Sequence, residues 1–289
     1  MIAADRLSSG DISAAQDALA AAGADIAGRS WIEADKACDI LFGSAPEPAR
    51  AVLEGLLPGV DVVVQGESGR RKQLLVADMD STMITIECID ELADYAGCKA
   101  EVAAVTERAM RGELDFAAAL RERVALLKDL DESAIARCRE ERLQIMPGAK
   151  ALVRTMRREG AECLLVSGGF VQFADQVGEE IGFNRAIANR LLVSGGRLEG
   201  TVADPIVGAD AKRQALVDAA AANGLDLADT MAVGDGANDI PMIEAAGIGI
   251  AYRAKKRTAA AADARIEFCD LSALLYAQGY ARGEWELSQ

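Results

Sequence analysis

The sequence predicts an α/β protein: a parallel sheet interrupted by a long helical insertion and preceded by a smaller α+β unit. Three observations carry this. From Gln73 onward the apolar runs QLLVA, AECLLVS, TMAVG, GIGIAY and RIEF alternate with helix-length amphipathic segments, the pattern of strand–helix–strand units. The composition is 51% hydrophobic but only 4% aromatic, so the core is built from Ala, Val, Leu and Ile, which suits helices covering a parallel sheet. The first seventy or so residues read differently and end in the turn-rich, charged segment GESGRRK from Gly66, which marks a linker.

Taken in order, ISAAQDALAAAG is an Ala-rich amphipathic helix ended by Gly23, and CDILF and VDVVVQ are short strands, with a further strand around 29–33. Between them PEPARAVLEGL is a helix, with Pro46 and Pro48 at its start and Pro58 just beyond it. Residues 1–70 thus form one unit and 71–289 another. Between the first and second strands of the larger unit lies a wholly helical insertion, about 86–146, whose FAAALRERVALL puts apolar residues at helical spacing. That is too long for an ordinary connection. It is a cap over the C-terminal edge of the sheet, where ligands bind in open α/β folds. A second insertion, NRLLVSGGRLEGTV, is a hairpin turning at Gly195 and Gly196.

Composition also excludes chemistry. Lys and Arg number 31 against 46 Asp and Glu, a net charge of −15, whose field repels nucleic acid and anionic membranes. The chain has no histidine, which removes Ser-His-Asp triads and His-ligated zinc. Six cysteines with no CxxC pair are expected to be buried reduced thiols. With neither a signal-like segment nor an apolar run near twenty residues, a cytoplasmic protein is expected.

What remains is carboxylate, Lys, Ser and hard-metal chemistry, and the strand ends carry it. Asp78 and Asp80 follow the first strand, Ser167 in SGGF the second, and Asp235 and Asp239 in GDGANDIPM the third, while Lys212 opens the helix before that third strand. Each alone reads as a turn, a cap or a surface charge; together, at equivalent strand ends, they read as a site. Two carboxylates about 4 Å apart repel by about 4 kcal/mol at an effective dielectric near 20, and a cation relieves this. Mg2+ takes carboxylate oxygens and leaves positions for a phosphate, so Asp78, Asp235 and the backbone carbonyl of Asp80 can hold it. Asp78 is then the nucleophile that takes a phosphoryl group and Asp80 the acid and base. The Ser167 hydroxyl and Gly168 amide, at a helix N-terminus, suit the phosphoryl oxygens, Lys212 neutralises developing charge, and Asp239 holds metal waters or orients Lys212.

This DxDST, S-G-G, Lys and GDGxND set resembles the haloacid dehalogenase-like hydrolases, over about 215 residues from Gln73. The resemblance implies a Rossmann-like sheet, Mg2+ and an aspartyl intermediate. Within that superfamily DMDSTMITIECIDELADYAG, the MRGELDFAAALRERVALLKDL stretch and VSGGF resemble the phosphoserine phosphatases. By that resemblance Glu87 takes a substrate ammonium, Arg123 rather than Arg121 its carboxylate, Phe116 and Met110 close the cap, and Asn238 lies near the phosphate. The N-terminal unit resembles a degenerate ACT-like domain that lacks its first strand, which leaves a serine-binding role and a homodimer contact both open for it. The expected activity is hydrolysis of phosphoserine in the last step of serine formation. Transfer of the phosphoryl group to another hydroxyl such as homoserine, or a catalytically silent amino-acid sensor, are the alternatives.

Overall fold

The computed structural model describes residues 1–287. Its first six elements are β1 (Ile2–Ala3), α1 (Ser9–Ala21), β2 (Asp25–Glu33), β3 (Ala37–Gly43), α2 (Pro46–Leu53) and β4 (Val60–Asp61). They make an antiparallel sheet in the order β2-β3-β1-β4. Helix α1 starts at a capping box, Ser8 with Asp11, which satisfies amides the first turn leaves free. Its Ala15 and Leu19 pack against Ala49 and Leu53 of α2. One expectation is overturned: a first strand is present. It sits between β3 and β4, and at two residues it is too short to show a period of alternation.

A coil follows, and then β5 (Leu74–Ala77), which is entirely buried. The chain next builds the cap from α3 (Cys88–Tyr95), α4 (Lys99–Met110), α5 (Phe116–Ala125) and α6 (Ser133–Glu141), and returns through α7 (Ala149–Arg158) to β6 (Glu162–Phe170). After α8 (Val171–Ile181) come β7 (Arg185–Asn189) and the hairpin β8 (Leu191–Ser194) with β9 (Arg197–Val202). Both Gly195 and Gly196 have positive φ, as a tight hairpin of this kind requires. The hairpin belongs to the cap: the Asp129 amide donates to the Leu198 carbonyl and the Leu198 amide to the Leu130 carbonyl, at α5's exit. The remaining elements are α9 (Ala209–Ala222), β10 (Thr230–Gly234), α10 (Ile240–Ala245), β11 (Ile248–Tyr252), α11 (Lys256–Ala261), β12 (Ala264–Ile266) and α12 (Ala273–Ala277).

Six parallel strands stand in the order β12-β11-β10-β5-β6-β7. Alternate residues supply the two faces: Leu75, Ala77, Cys163, Leu165, Met231 and Val233 enter one core, and Leu74, Val76, Leu164, Val166 and Ala232 the other. That is the period of two that strands impose. Strand β7 was not foreseen. A further correction concerns S-G-G, which does not open a helix: β6 runs through it to Phe170, and α8 starts only at Val171. The pairing of β6 with β7 is irregular between Val166 and Phe170, which bends this segment over the sheet's end.

All six cysteines are free and five are buried. Among the described residues no helix is long and apolar enough to cross a membrane.

Candidate active site

The strand order reverses between β5 and β10: the chain winds outward through β6 and β7, then returns to the other side of β5. Ligands bind in the crevice such a reversal opens at the strands' C-terminal ends. Asp78 leaves β5 there and Asp235 leaves β10 beside it, and the Asp78 amide donates to the Val233 carbonyl at 3.0 Å. The crevice therefore brings carboxylates from different strands together through backbone pairing alone.

Lys212 lies beneath them, fully buried in the first turn of α9. Its ammonium bridges Asp78 Oδ1 at 2.6 Å and Asp239 Oδ1 at 2.7 Å. Asp239 uses its other oxygen to accept the Gly236 amide at 2.9 Å. Burial alone would pull the ammonium's pKa down, but Asp239 and Asp78 outweigh it and hold Lys212 above its ordinary value. Lys212 and Asp239 thus form the wall behind Asp78 and do not line the cavity itself.

Above them is a cavity of about 480 Å3 between the strand ends and the cap. The sheet side contributes Asp78, Asp80, Ser167, Gly168, Asp235 and Asn238. Glu87, Met110, Phe116 and Arg123 close it from the cap side. The two glycines of S-G-G are required by close approach. A Cβ on Gly168 would lie 2.8 Å from Phe116 Cζ, and one on Gly169 would lie 2.9 Å from Asp80 Oδ2, distances real Cβ atoms do not adopt. Phe116 is therefore seated on the backbone of β6. Met110, 75% exposed, touches the cavity only at its rim. The Ser167 hydroxyl accepts the Gly169 amide at 2.8 Å, so its proton is free to point elsewhere.

The cap turns its two arginines in different directions. Arg121 faces outward and pairs with Asp204 at 2.7 Å. Arg123 faces the cavity, half-buried, and only its Nε is engaged, with the Ala119 carbonyl at 3.3 Å; among the described residues its terminal nitrogens have no partner. Burial draws its pKa down, against Asp90, Glu87 and Asp80, which raise it. Glu87 is held by the Ser81 hydroxyl at 2.7 Å, Ser81 having a left-handed φ of 56°, and among the described residues its other carboxylate oxygen has no hydrogen-bond partner.

Crowding and burial push the carboxyls up. Asp78 is raised well above the usual range, by burial first and the charge of Asp239 next, against Lys212. Asp80 is pushed up to about 7 by burial and then Glu87, and Asp235 to about 7 by burial, Asp239 and Glu87. Oxygens of Asp78, Asp235 and Asp239 lie within 4.8 Å of one another, and Asp80 Oδ1 is buried without a hydrogen-bond partner among the described residues. An all-oxygen, under-satisfied cluster of this kind fits a hard divalent cation, which would lower every one of these carboxyls.

Sequence reasoning passed over two charged residues that line the cavity, Asp90 and Lys255. Asp90 lies one helical turn from Glu87, a spacing that puts both on one face. Lys255 follows a strand end like the other site residues, but within the basic run KKR, which reads as solvated surface.

Comparison with known proteins identifies the family. A family model described as haloacid dehalogenase-like hydrolase matches residues 75–244. A phosphoserine phosphatase of Streptomyces coelicolor is 44% identical over 248 residues, covering 84% of this chain and 60% of that protein. This chain therefore spans rather more than half the length of that relative. A probable phosphoserine phosphatase from Vibrio cholerae, solved unliganded, superposes with a TM-score of 0.71 at 37% identity, over 86% of this chain and 78% of that one. A phospho-aspartyl intermediate analogue of phosphoserine phosphatase gives 0.67 at 40% identity, over 71% of this chain and 98% of that one. With more than half its length matched by the family model, and with carboxylates, serine and lysine gathered at the switch point of a parallel sheet, the chain belongs to the haloacid dehalogenase-like hydrolases.

Proposed function

We propose that this protein is a Mg2+-dependent phosphoserine phosphatase, releasing serine and phosphate through an aspartyl phosphate on Asp78, as the last step of serine formation in the cytoplasm. One observation carries the choice of substrate. The cap turns into the same cavity as Asp78 a half-buried Arg123 and a Glu87 whose terminal nitrogens and second oxygen, respectively, have no hydrogen-bond partner among the described residues. A zwitterionic amino acid needs one group of each sign, and a phosphate on its hydroxyl then reaches the carboxylates below. The three phosphoserine phosphatases described above, one called probable and one solved as a phospho-aspartyl analogue, are 44%, 37% and 40% identical to this chain.

The steps follow from what each residue touches. Asp78, held by Lys212 at 2.6 Å, attacks phosphorus while Asp80 protonates the departing serine oxygen. Burial and the neighbouring Glu87 raise this carboxyl, the direction that suits a group that must donate a proton and then recover one. Water then attacks the aspartyl phosphate with Asp80 as base. The Ser167 hydroxyl, the Gly168 amide and Asn238 hold the phosphoryl oxygens, and Lys212 stabilises the charge that develops there. Mg2+ held by Asp78, the Asp80 carbonyl and Asp235, with Asp239 behind, would supply further neutralisation of the phosphoryl charge.

Phosphate release from a panel of phosphorylated metabolites, with Mg2+ and with chelator, tests this on the native protein and on Asp78→Asn. The expected result is preference for phosphoserine, loss with chelator and loss in the variant. Retained turnover in Asp78→Asn, or indifference to the alcohol, would sink the reading. Phosphorylated acceptor in place of free phosphate would instead show a phosphotransferase.

A further inference from the structure

We propose that Lys255 is a substrate-recruiting residue, a mobile cation at the phosphate end of the cavity that draws a phosphomonoester dianion past the surrounding carboxylates. This deepens the proposed function and rests on it, since it takes the cavity for a phosphomonoester site.

The charge balance of the cavity poses the problem. Its lining holds five carboxylates, Asp78, Asp80, Glu87, Asp90 and Asp235, on a chain whose net charge is −15. Among the described residues only two cations line it, Arg123 and Lys255. Lys212 is spent between Asp78 and Asp239, and Arg123 stands on the cap side, where the substrate carboxylate would go. Before it reaches a cation held by Asp78 and Asp235, a phosphate dianion arriving from solvent passes a lining in which Lys255 is, among the described residues, the one exposed cation.

The placement of Lys255 suits that role. Its amide donates to the Asp235 carbonyl at 3.2 Å, and its carbonyl accepts from the Ala259 amide at 2.9 Å. Both backbone groups are thus fixed beside a carboxylate of the metal cluster. The preceding turn is held as well: Arg253 adopts φ 44° and donates its amide to the Ile266 carbonyl at 2.8 Å. The side chain is exposed, and among the described residues its ammonium has no hydrogen-bond or ion-pair partner. A fixed root with a free, solvated head is what a transient contact needs: it attracts a passing anion without costing desolvation of a buried charge. Clefts that focus such fields raise the rate of capture, and the effect fades with salt.

Four forms of the Mg2+-saturated full chain test this: wild type, Lys255→Gln, Lys255→Glu and Lys255→Arg. For each, kcat and KM for phosphoserine and the inhibition constant of orthophosphate are measured at about 0.02 M and about 0.3 M ionic strength. An exposed charge contact predicts that Lys255→Gln raises KM and the phosphate inhibition constant together by about two- to fivefold at the lower salt. Lys255→Glu raises both further, Lys255→Arg restores them, kcat holds, and the differences shrink at the higher salt. An unchanged phosphate inhibition constant in Lys255→Gln, or a difference indifferent to salt, overturns the proposal. Orthophosphate is the product of any phosphomonoester. Its dissociation constant is therefore also read by titration calorimetry on all four forms, so a wild type that binds it but spares phosphoserine would defeat the proposed substrate and still leave the comparison of the Lys255 variants readable.

Discussion

Replacing Arg123 by alanine should cost this protein its amino-acid substrate while sparing its phosphate chemistry. The guanidinium is half-buried, faces the cavity and offers two terminal nitrogens with no partner among the described residues. A carboxylate bound there gains two charge-assisted hydrogen bonds of about 1.5–3 kcal/mol each. Allowing for partial exposure, a loss of about 3–4 kcal/mol is expected, or roughly a hundred- to several hundredfold in kcat/KM for phosphoserine. Arg121→Ala serves as the control on the same helix: its pair with Asp204 is exposed, the two side chains being 53% and 73% accessible, so its loss is worth about 1 kcal/mol at most. The decisive assay adds O-phosphoethanolamine, which has the ammonium and the phosphate but no carboxylate. Arg123→Ala should leave its already low kcat/KM nearly unchanged, so the two substrates converge. An equal fall on both would show that Arg123 supports the cap rather than the carboxylate, and the substrate reasoning would fail.

Three other outcomes are expected. Gly168→Ala drives a Cβ to 2.8 Å from Phe116 Cζ, so it should lower kcat/KM by about tenfold or more through a displaced cap, and Phe116→Leu in the same chain should recover part of it. Asp61, buried, accepts the amides of Glu267 at 2.9 Å, Phe268 at 3.2 Å and Cys269 at 2.8 Å. Asp61→Ala strands those donors and should cost about 2–4 kcal/mol in urea unfolding with an unchanged m-value. The metal-free protein should lose stability as pH rises from about 4 to about 7. Asp80 and Asp235, each raised to about 7 in the fold, bind protons more tightly folded than unfolded across that window, so stability falls as they ionise. Mg2+ favours the ionised forms, so the rise it gives in melting temperature should be larger at pH 8 than at pH 5; an equal rise at both would refute the assignment.

The site was legible because its residues stand where strands end, and a strand end is visible as an apolar run stopping. Asp78, Asp80 and Asp235 needed nothing more. The choice between Arg121 and Arg123 was different, because two positions along a helix turn the side chain by more than half a circle, and only the cap's packing shows which faces inward. Lys255 was illegible because a lysine in a basic run looks alike whether the surface beneath it is convex or hollow. The S-G-G segment was misread as a helix start because an irregular, glycine-bearing strand and a loop have the same composition. Strand β7 was missed because its burial is only partial over most of its length, as expected at a sheet edge.

The first strand failed for a reason that says something about the N-terminal unit. Ile2 and Ala37 belong to the large core of the catalytic domain, while the unit's own apolar clusters are small. Its order is therefore completed from outside. Beyond Asp61, Val62 bridges Arg265 of β12, Arg265 pairs with Glu54 at 2.8 Å, and Arg50 donates to the Ala262 carbonyl. Farther round, Arg70 grips Asp39 through two nitrogens at 2.6 and 2.8 Å while its Nε reaches the Ala277 carbonyl at 2.7 Å. Strand β12 is three residues long and ends the parallel sheet, an edge that would otherwise offer unpaired amides to any passing strand. The N-terminal unit covers that edge, and in return Ile2 is buried against the larger core while Ala3 packs in the unit's own cluster. A two-residue strand has no pattern of its own to read, because what defines it is its pairing with β3 and β4 together with the packing of Ile2 against the larger core.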